Sequence, residues 1–143
     1  MNIEKMTGME IMQAILRGEL PHPTMSESIP MKVMLVEKGK VVFNAIANDM
    51  HLNPQGGVHG GFAATVLDSV TGCAVHSVLG ADVAYGTIDL NIKMLRPVPK
   101  DEKLIAEGIV INLSKSLGIS EGTLKNEEGK LYATSTATCM IIK

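Results

Sequence analysis

The chain has 143 residues, of which 45% are apolar and 20% are charged. This length and composition favour one globular domain over residues 1–143 and exclude a disordered chain. A net charge of −2 without a basic run argues against a nucleic-acid partner or an anionic membrane surface. No apolar run is as long as a membrane span, which needs about 18 residues. Neither Cys73 nor Cys139 stands at metal-binding or redox spacing, and the N-terminus lacks a signal-peptide pattern, so we expect a cytoplasmic protein.

A short amphipathic helix is predicted near the N-terminus. Thr7 and Glu10 stand at the spacing of a capping box, in which a hydroxyl starts a helix and a carboxylate follows three residues on. Apolar residues follow at helical spacing, Gly18 can end the helix in a left-handed conformation, and two prolines prevent its continuation. Residues 1–24 are therefore expected to form a helix and linker ahead of a core over residues 30–143.

Strands are predicted on both sides of a central helix. Residues 31–36 and 40–47 are β-rich runs joined by a Lys-Gly turn, which favours a hairpin. Further strands are expected over residues 85–95, 103–112, 117–125 and 131–142. In the first of these, apolar and polar residues alternate strictly. This alternation predicts a half-buried strand with Ile88 on its apolar face and Thr87 on the other.

The chain is organised around residues 51–79, where a polar, glycine-rich loop runs into an apolar segment. Apolar residues recur from Phe62 to Val78 at the three- and four-residue steps of a helix, and the other faces carry mainly small residues. A helix that is apolar nearly all round is buried, and we expect Gly80 to end it. One such helix and one antiparallel sheet favour an α+β fold in which the sheet curls around the helix. The sheet's edge strands favour an oligomer.

The central helix carries one carboxylate, Asp68, and no other Asp, Glu, Lys or Arg lies between Asp49 and Asp82. An unpaired charge in an apolar setting costs free energy, so Asp68 is a candidate catalytic residue. At the start of the same helix, Gly60 and Gly61 leave first-turn N–H groups open. Together with the helix dipole, these groups could stabilise an oxyanion.

The spacing of Gly60 and Asp68 predicts how such a site would be assembled. The eight residues between them correspond to about 12 Å along a helix axis. Groups that act on one carbonyl must each lie within about 3 Å of the reacting atoms, so the two residues of one chain cannot easily serve one substrate. Two antiparallel copies of the helix would bring Gly60 of one chain near Asp68 of the other. If the two residues cooperate, the site is shared across a twofold homodimer.

The combined motif resembles that of hotdog-fold acyl-CoA thioesterases, in the phenylacetate-degradation (PaaI-like) branch. The residues that carry the resemblance are Asn53-x2-Gly56-x2-His59-Gly60-Gly61-x6-Asp68-x3-Gly72 and the segment from Thr87 to Pro97. The resemblance covers nearly the whole chain from about Pro30. It implies a curved antiparallel sheet wrapped around one long helix, here preceded by a short N-terminal helix, and hydrolysis of an acyl-CoA to the free acid and coenzyme A.

The resemblance implies a role for each matching residue. Asp68 would act as nucleophile or as general base for water, and the N–H of Gly60 would polarise the thioester carbonyl. Asn53 would orient the substrate or water, and His59 would support the loop or the thioester. Thr87 would assist the carboxylate or its water. In the family, the positions of Asn53, His59 and Gly60 belong to one subunit. The positions of Asp68 and Thr87 belong to its neighbour.

Substrate contacts are expected at Gly61, beside the oxyanion position, and at basic residues that could meet the phosphates of coenzyme A. The candidates for that contact are Arg96, Lys115 and Lys100, although the turn around Lys115 is less basic than the family's usual sequence. No cofactor is expected, because coenzyme A is part of the substrate. No metal site is expected either, because the loop histidines lack a third ligand.

Two alternative functions stay open. The domain could bind acyl-CoA without catalysis, or it could be an acyl-thioester dehydratase or hydratase, which would need a histidine–carboxylate pair such as His59 and Asp68. The sequence does not identify the acyl group or choose between nucleophile and base for Asp68. It does not choose between dimer and tetramer, although relatives are commonly dimers of dimers and a homotetramer is the expectation.

Overall fold

The N-terminal helix begins where its capping box predicts. In a computed structural model that describes residues 1–143, the Thr7 hydroxyl accepts the Glu10 N–H at 3.2 Å and the Glu10 carboxylate accepts the Thr7 N–H at 3.3 Å. The helix closes ahead of Gly18, which has a φ of +78°. This helix is α1, Gly8–Leu16. A second, one-turn helix, α2, covers Met25–Ser28.

One sheet and one long helix make up the rest of the fold. The helix is α3, Gly60–His76, and single-turn 3-10 helices lie at Ile3–Lys5 and Asp49–His51. The strands are β1 (Met31–Glu37), β2 (Lys40–Ala45), β3 (Ala84–Met94), β4 (Leu104–Leu113), β5 (Leu117–Asn126) and β6 (Leu131–Ile142). All neighbouring strands pair antiparallel, in the order β1-β2-β4-β5-β6-β3. The predicted elements are therefore all present, and the ends of the strands differ from the prediction by at most two residues.

The inner face of the sheet packs against α3, as the apolar character of the helix predicts. Phe62, Val66, Leu67 and Val70 of the helix lie in one core cluster with residues of the sheet. The helix lies close to the sheet because glycines face it. A Cβ on Gly108 would overlap with the carbonyl oxygen of Val70. None of the helices combines the length and apolar character that a membrane crossing requires.

The two edges of the sheet differ. At the β1 edge, α1 and the segment that follows it pack against the strand, and the Val33 N–H donates to His22 Nε2 at 3.2 Å. At the opposite edge, β3 pairs with β6 on one side only, and no other element pairs with its outer side. An edge of this kind can add a further strand.

The prediction that α3 continues to Gly80 is wrong, because the helix ends at His76. Ser77 caps it with an N–H that donates to Cys73 O, and the Ser77 hydroxyl donates to Ala74 O at 2.6 Å. The next two N–H groups, of Val78 and Leu79, bond three residues back instead of four. This tighter turn stops the helix before the glycine is reached.

The predicted strict alternation of residues between the two faces of β3 is also wrong. The register with β6 shifts between Thr87, which lies opposite Cys139, and Asp89, which lies opposite Thr138. Ile88 is the extra residue of this β-bulge and is 56% exposed, so its predicted place on the buried face is wrong. The bulge turns Thr87 toward α3, on the same side as the Ile92 side chain that packs on the core.

Candidate active site

Asp68 is half-buried in the middle of α3, where the sequence predicts a costly charge. Its Oδ1 is buried and makes no hydrogen bond within the chain. The side chain lines a cavity of about 380 Å³, which we call the acid cavity. A buried carboxylate oxygen without a donor costs free energy, so its presence here favours a functional role for Asp68.

The groups next to Asp68 in the acid cavity are neutral. Burial, together with the charge of Asp68, raises the pKa of the Cys73 thiol to about 12. Burial also raises the pKa of the Tyr85 hydroxyl, and the nearby Cys73, Cys139 and Asp68 raise it further. Cys73 therefore stays protonated at neutral pH, which argues against a role as a nucleophile.

Thr87 lies in the acid cavity with Asp68. Its Oγ1 lies 3.7 Å from Cys139 Sγ on the neighbouring strand, and it would lie 3.9 Å from a Cβ placed on Gly72 of α3. The expectation that Thr87 faces away from the apolar side of β3 is wrong, because the bulge at Ile88 reverses the alternation. The same bulge brings the hydroxyl and the carboxylate into one cavity.

The start of α3 is capped by His59. Its Nδ1 accepts the Gly61 N–H at 2.7 Å, and its carbonyl accepts the Phe62 N–H at 3.0 Å. A Cβ on Gly61 would lie 2.9 Å from that nitrogen, so the cap requires glycine there. The N–H of Gly60 makes no hydrogen bond within the chain. Of the two glycine N–H groups, Gly60 thus provides the unpaired one, at the positive end of the helix dipole.

Gly60 lines a second cavity, of about 280 Å³, which we call the amide cavity. Met94 at the end of β3 and the following Arg96 line it as well. Arg96 Nη1 donates to Leu131 O at 2.6 Å, and no carboxylate forms an ion pair with it. The cavity therefore combines an unpaired N–H with a fixed positive charge.

Asn53 orders the loop before α3. Its Oδ1 accepts the N–H groups of Gln55 at 3.0 Å and of Gly57 at 3.1 Å, and its own N–H donates to Gly57 O at 2.8 Å. The Nδ2 group of the side chain makes no hydrogen bond within the chain. The amide of Asn53 thus holds the loop through its oxygen and leaves its nitrogen free to donate.

The other two basic candidates lie apart from both cavities. Lys100 forms an ion pair with Asp49, with Nζ 2.7 Å from Oδ1, and the hydrogen bond to Asp49 raises its pKa. Lys115 is exposed in the turn between β4 and β5 and forms no ion pair. Of the three basic candidates, Arg96 alone shares a cavity with Gly60.

Two of the remaining histidines have structural contacts. The ring of His51 is buried, accepts the Asn48 N–H through Nδ1 at 3.0 Å, and lies 2.6 Å from Ser28 O through Nε2. His76 lines the acid cavity, where its ring packs on Tyr85 with centroids 4.9 Å apart. No group of three or more His, Cys, Asp or Glu side chains is arranged to hold a metal ion.

His22 was not singled out by sequence reasoning, and it lines the acid cavity from the segment after α1. Its contact with Val33 joins residues eleven positions apart. No local pattern in the sequence signals such a contact. The fold thus brings Asp68 and Thr87 into one cavity, and Gly60 and Arg96 into another.

The chain belongs to the Thioesterase superfamily, because the family model matches residues 55–133, more than half of its length. The fold is the hotdog fold of this class. A phenylacetic acid degradation-related protein from Ralstonia eutropha JMP134 has a similar structure, with a TM-score of 0.82 and 32% identity. The match covers 90% of this chain and 98% of that one.

Curated relatives support the same membership. Human acyl-coenzyme A thioesterase 13 is 29% identical over 119 residues, which cover 78% of this chain and 81% of the relative. A protein of Halobacterium salinarum that is named as an esterase is 45% identical over 69 residues, 47% of this chain. This chain spans only 44% of the length of that relative and 61% of the length of a similarly named Caenorhabditis elegans protein.

Proposed function

We propose that the protein hydrolyses an acyl-CoA thioester to the free acid and coenzyme A, at a site that two subunits share. One subunit contributes Asp68 and Thr87, and the other contributes the N–H of Gly60 with the loop around Asn53 and His59. Membership in the Thioesterase superfamily and the name of the human relative support the reaction. The observation that carries the proposal is the buried Asp68 Oδ1, which has no partner in its own chain.

The separation of the two cavities supports sharing between subunits. Within one chain, Asp68 and Gly60 line different cavities, about 12 Å apart along the helix axis. A carbonyl beside Asp68 of one chain therefore needs its oxyanion donor from elsewhere. A partner helix running antiparallel to α3 supplies one.

The open edge of β3 offers a route to that arrangement. Thr87 lines the acid cavity near one end of this strand, and Met94 lines the amide cavity at the other end. If two β3 strands pair antiparallel about an axis through Asn91, the extra residue Ile88 brings Thr87 of each subunit opposite Met94 of its partner. This register brings each acid cavity to the partner's amide cavity and gives the homodimer a continuous sheet.

The chemistry needs one carboxylate and one oxyanion site. As a base, Asp68 takes a proton from water, whose oxygen attacks the thioester carbonyl carbon. As a nucleophile, Asp68 attacks that carbon itself, and water then hydrolyses the resulting anhydride. In both routes the partner's Gly60 N–H stabilises the oxyanion, and collapse of the tetrahedral intermediate releases the thiolate of coenzyme A. The Thr87 hydroxyl orients the carboxylate or its water.

Arg96 is the strongest candidate for a phosphate contact with coenzyme A, since its guanidinium forms no ion pair and the residue lines the same cavity as Gly60. The Gly61 N–H is taken by the His59 cap, so Gly61 contributes room for the cap rather than a donor. Lys115 is free to reach a phosphate, while Lys100 would first have to leave Asp49.

We further propose a homotetramer of two such dimers, a cytoplasmic location and no requirement for a cofactor.

Thiol release from acyl-CoA tests the function. We expect the wild type to release coenzyme A from a neutral acyl-CoA, and Asp68→Asn to lower kcat about 1,000-fold while dimerisation is retained. The matched control is Asp82→Asn, the same chemical change at an exposed residue, which should leave kcat unchanged. Binding without release of thiol would favour a binding module, and addition of water to an enoyl-CoA would favour a hydratase.

A further inference from the structure

The acid cavity extends beyond Asp68 into an apolar pocket. Its wall away from α3 is formed by Ile11, Met12, Ile15, Met31, Val33 and Phe43. Three of these residues belong to α1, and the volume of about 380 Å³ is within the range of small-ligand pockets. The family model matches residues 55–133 only, so this wall lies outside the part of the chain that defines the family.

The wall is fixed in place. The Gly8 N–H of α1 donates to Leu79 O at 3.0 Å, just after α3. A Cβ on Gly8 would overlap with the carbonyl oxygen of His76, so the start of α1 lies directly on the end of α3. Met12 is 2% exposed and belongs to the main core cluster. The α1 helix is therefore a packed boundary of the cavity.

Asp68 is the only Asp, Glu, Lys or Arg that lines the acid cavity. Its two histidines are His22 and His76, and burial lowers the pKa of both, so they are neutral at pH 7. His22 Nε2 already accepts the Val33 N–H, and the His76 ring packs on Tyr85. No cationic side chain therefore lines the cavity to pair with a second carboxylate at the far end of a bound acyl group.

We infer that this pocket holds the acyl group, that the acyl group is an uncharged apolar chain, and that α1 limits its length. The inference rests on the proposed function, because it uses Asp68 to fix the position of the thioester. Methionine side chains at positions 12 and 31 can adapt to the shape of a flexible chain. A charged end would lie unpaired among apolar side chains, which costs free energy.

Chain length provides the first test. With straight acyl groups from butanoyl to hexadecanoyl, we expect Ile15→Phe to lower kcat/KM for the longer chains at least about tenfold and to leave the shortest substrates nearly unchanged. Ile15→Ala should shift the preference toward longer chains. Leu16→Phe is the matched control, because Leu16 is 39% exposed and does not line the cavity. Identical chain-length profiles for the Ile15 variants and the wild type would overturn the inference.

A charged end provides the second test. Adipoyl-CoA and hexanoyl-CoA have the same number of acyl carbons, and we expect kcat/KM for the dicarboxylic substrate to be at least about 100-fold lower. Equal values would contradict an apolar pocket.

Binding separates this inference from the proposed function. Ketone analogues, in which a methylene group replaces the thioester sulfur, cannot be hydrolysed at that bond. Calorimetry should show that long analogues bind the wild type and the Leu16→Phe variant more tightly than Ile15→Phe. If this difference occurs without hydrolysis of any thioester, the acyl pocket is supported and the proposed hydrolysis is wrong. If hydrolysis depends on Asp68 but the Ile15 variants bind every analogue as the wild type does, the reaction stands and the pocket is wrong.

Discussion

The acid cavity and the amide cavity border the same helix but are built differently. The amide cavity lies at the exposed start of α3, where the loop residues His59 and Asn53 order the backbone through contacts over two to four residues. The acid cavity lies against the middle of the helix, and its walls come from distant parts of the chain. Local contacts thus position the Gly60 N–H, while tertiary packing positions the Asp68 carboxylate.

The difference explains why the proposed site would need two subunits. A buried carboxylate and an unpaired N–H have opposite requirements, since one lies inside the domain and the other at an open helix end. One 17-residue helix supplies both, but not to the same point in space. In the proposed homodimer a twofold axis would resolve the conflict, because each acid cavity would then meet an amide cavity of the partner. Single substitutions can alter one cavity and leave the other intact.

Removing the Gly60 N–H should have the largest effect on the amide cavity. Proline lacks this group and is tolerated at the first position of a helix, and His59 already has the extended conformation (ψ of 137°) that precedes a proline. We expect Gly60→Pro to lower kcat about 100- to 1,000-fold. Gly60→Ala keeps the N–H and places a Cβ 3.4 Å from the flexible end of Met94, so its activity should stay within about tenfold of the wild type. Similar losses for both variants would argue against an oxyanion role.

Removing the Thr87 hydroxyl should have a smaller effect on the acid cavity. Thr87→Val keeps the shape of the side chain, and loss of one hydrogen bond to the carboxylate or its water should lower kcat about tenfold. The matched control is Thr138→Val on the outer face of β6, which should leave kcat unchanged. A Thr87→Val enzyme with wild-type kcat would show that the hydroxyl does not assist the reaction.

Loss of the His59 cap should affect mainly the stability of the helix start. His59→Ala removes the acceptor of the Gly61 N–H, which should lower the free energy of unfolding by about 1 kcal/mol. His59→Asn can replace the cap and should recover most of this loss. Denaturant unfolding measures both variants, and equal stability of the alanine variant and the wild type would contradict the capping role.

Much of this arrangement could be predicted because its signals are local. The capping box at Thr7, the apolar helix interrupted by Asp68, and the glycines ahead of it each fix a feature within a few residues. The strand order required more, because β3 follows α3 in the chain yet lies beyond β6 at the edge of the sheet.

The side of β3 that Thr87 occupies could not be predicted, because a bulge leaves no mark in an alternating sequence. The end of α3 at His76 differs from the prediction, because the Ser77 hydroxyl donates to the helix backbone before Gly80 is reached. The part that α1 and His22 play in the acid cavity depends on tertiary packing alone. Asp68 and Gly60 are candidates because of the buried charge and the open helix start, whereas the roles of Asn53, His59 and Thr87 rest on the motif, and all five stay predictions.

A mixture of two inactive variants tests the shared site most directly. When Asp68→Asn and Gly60→Pro subunits are co-expressed and assemble at random, half of the dimers contain one of each. In such a dimer, one site carries both substitutions and the other carries neither. A site shared between subunits predicts that the mixture regains about a quarter of the wild-type thioesterase activity. Activity no higher than that of the separate variants would mean that each site lies within one chain, which would contradict the shared site.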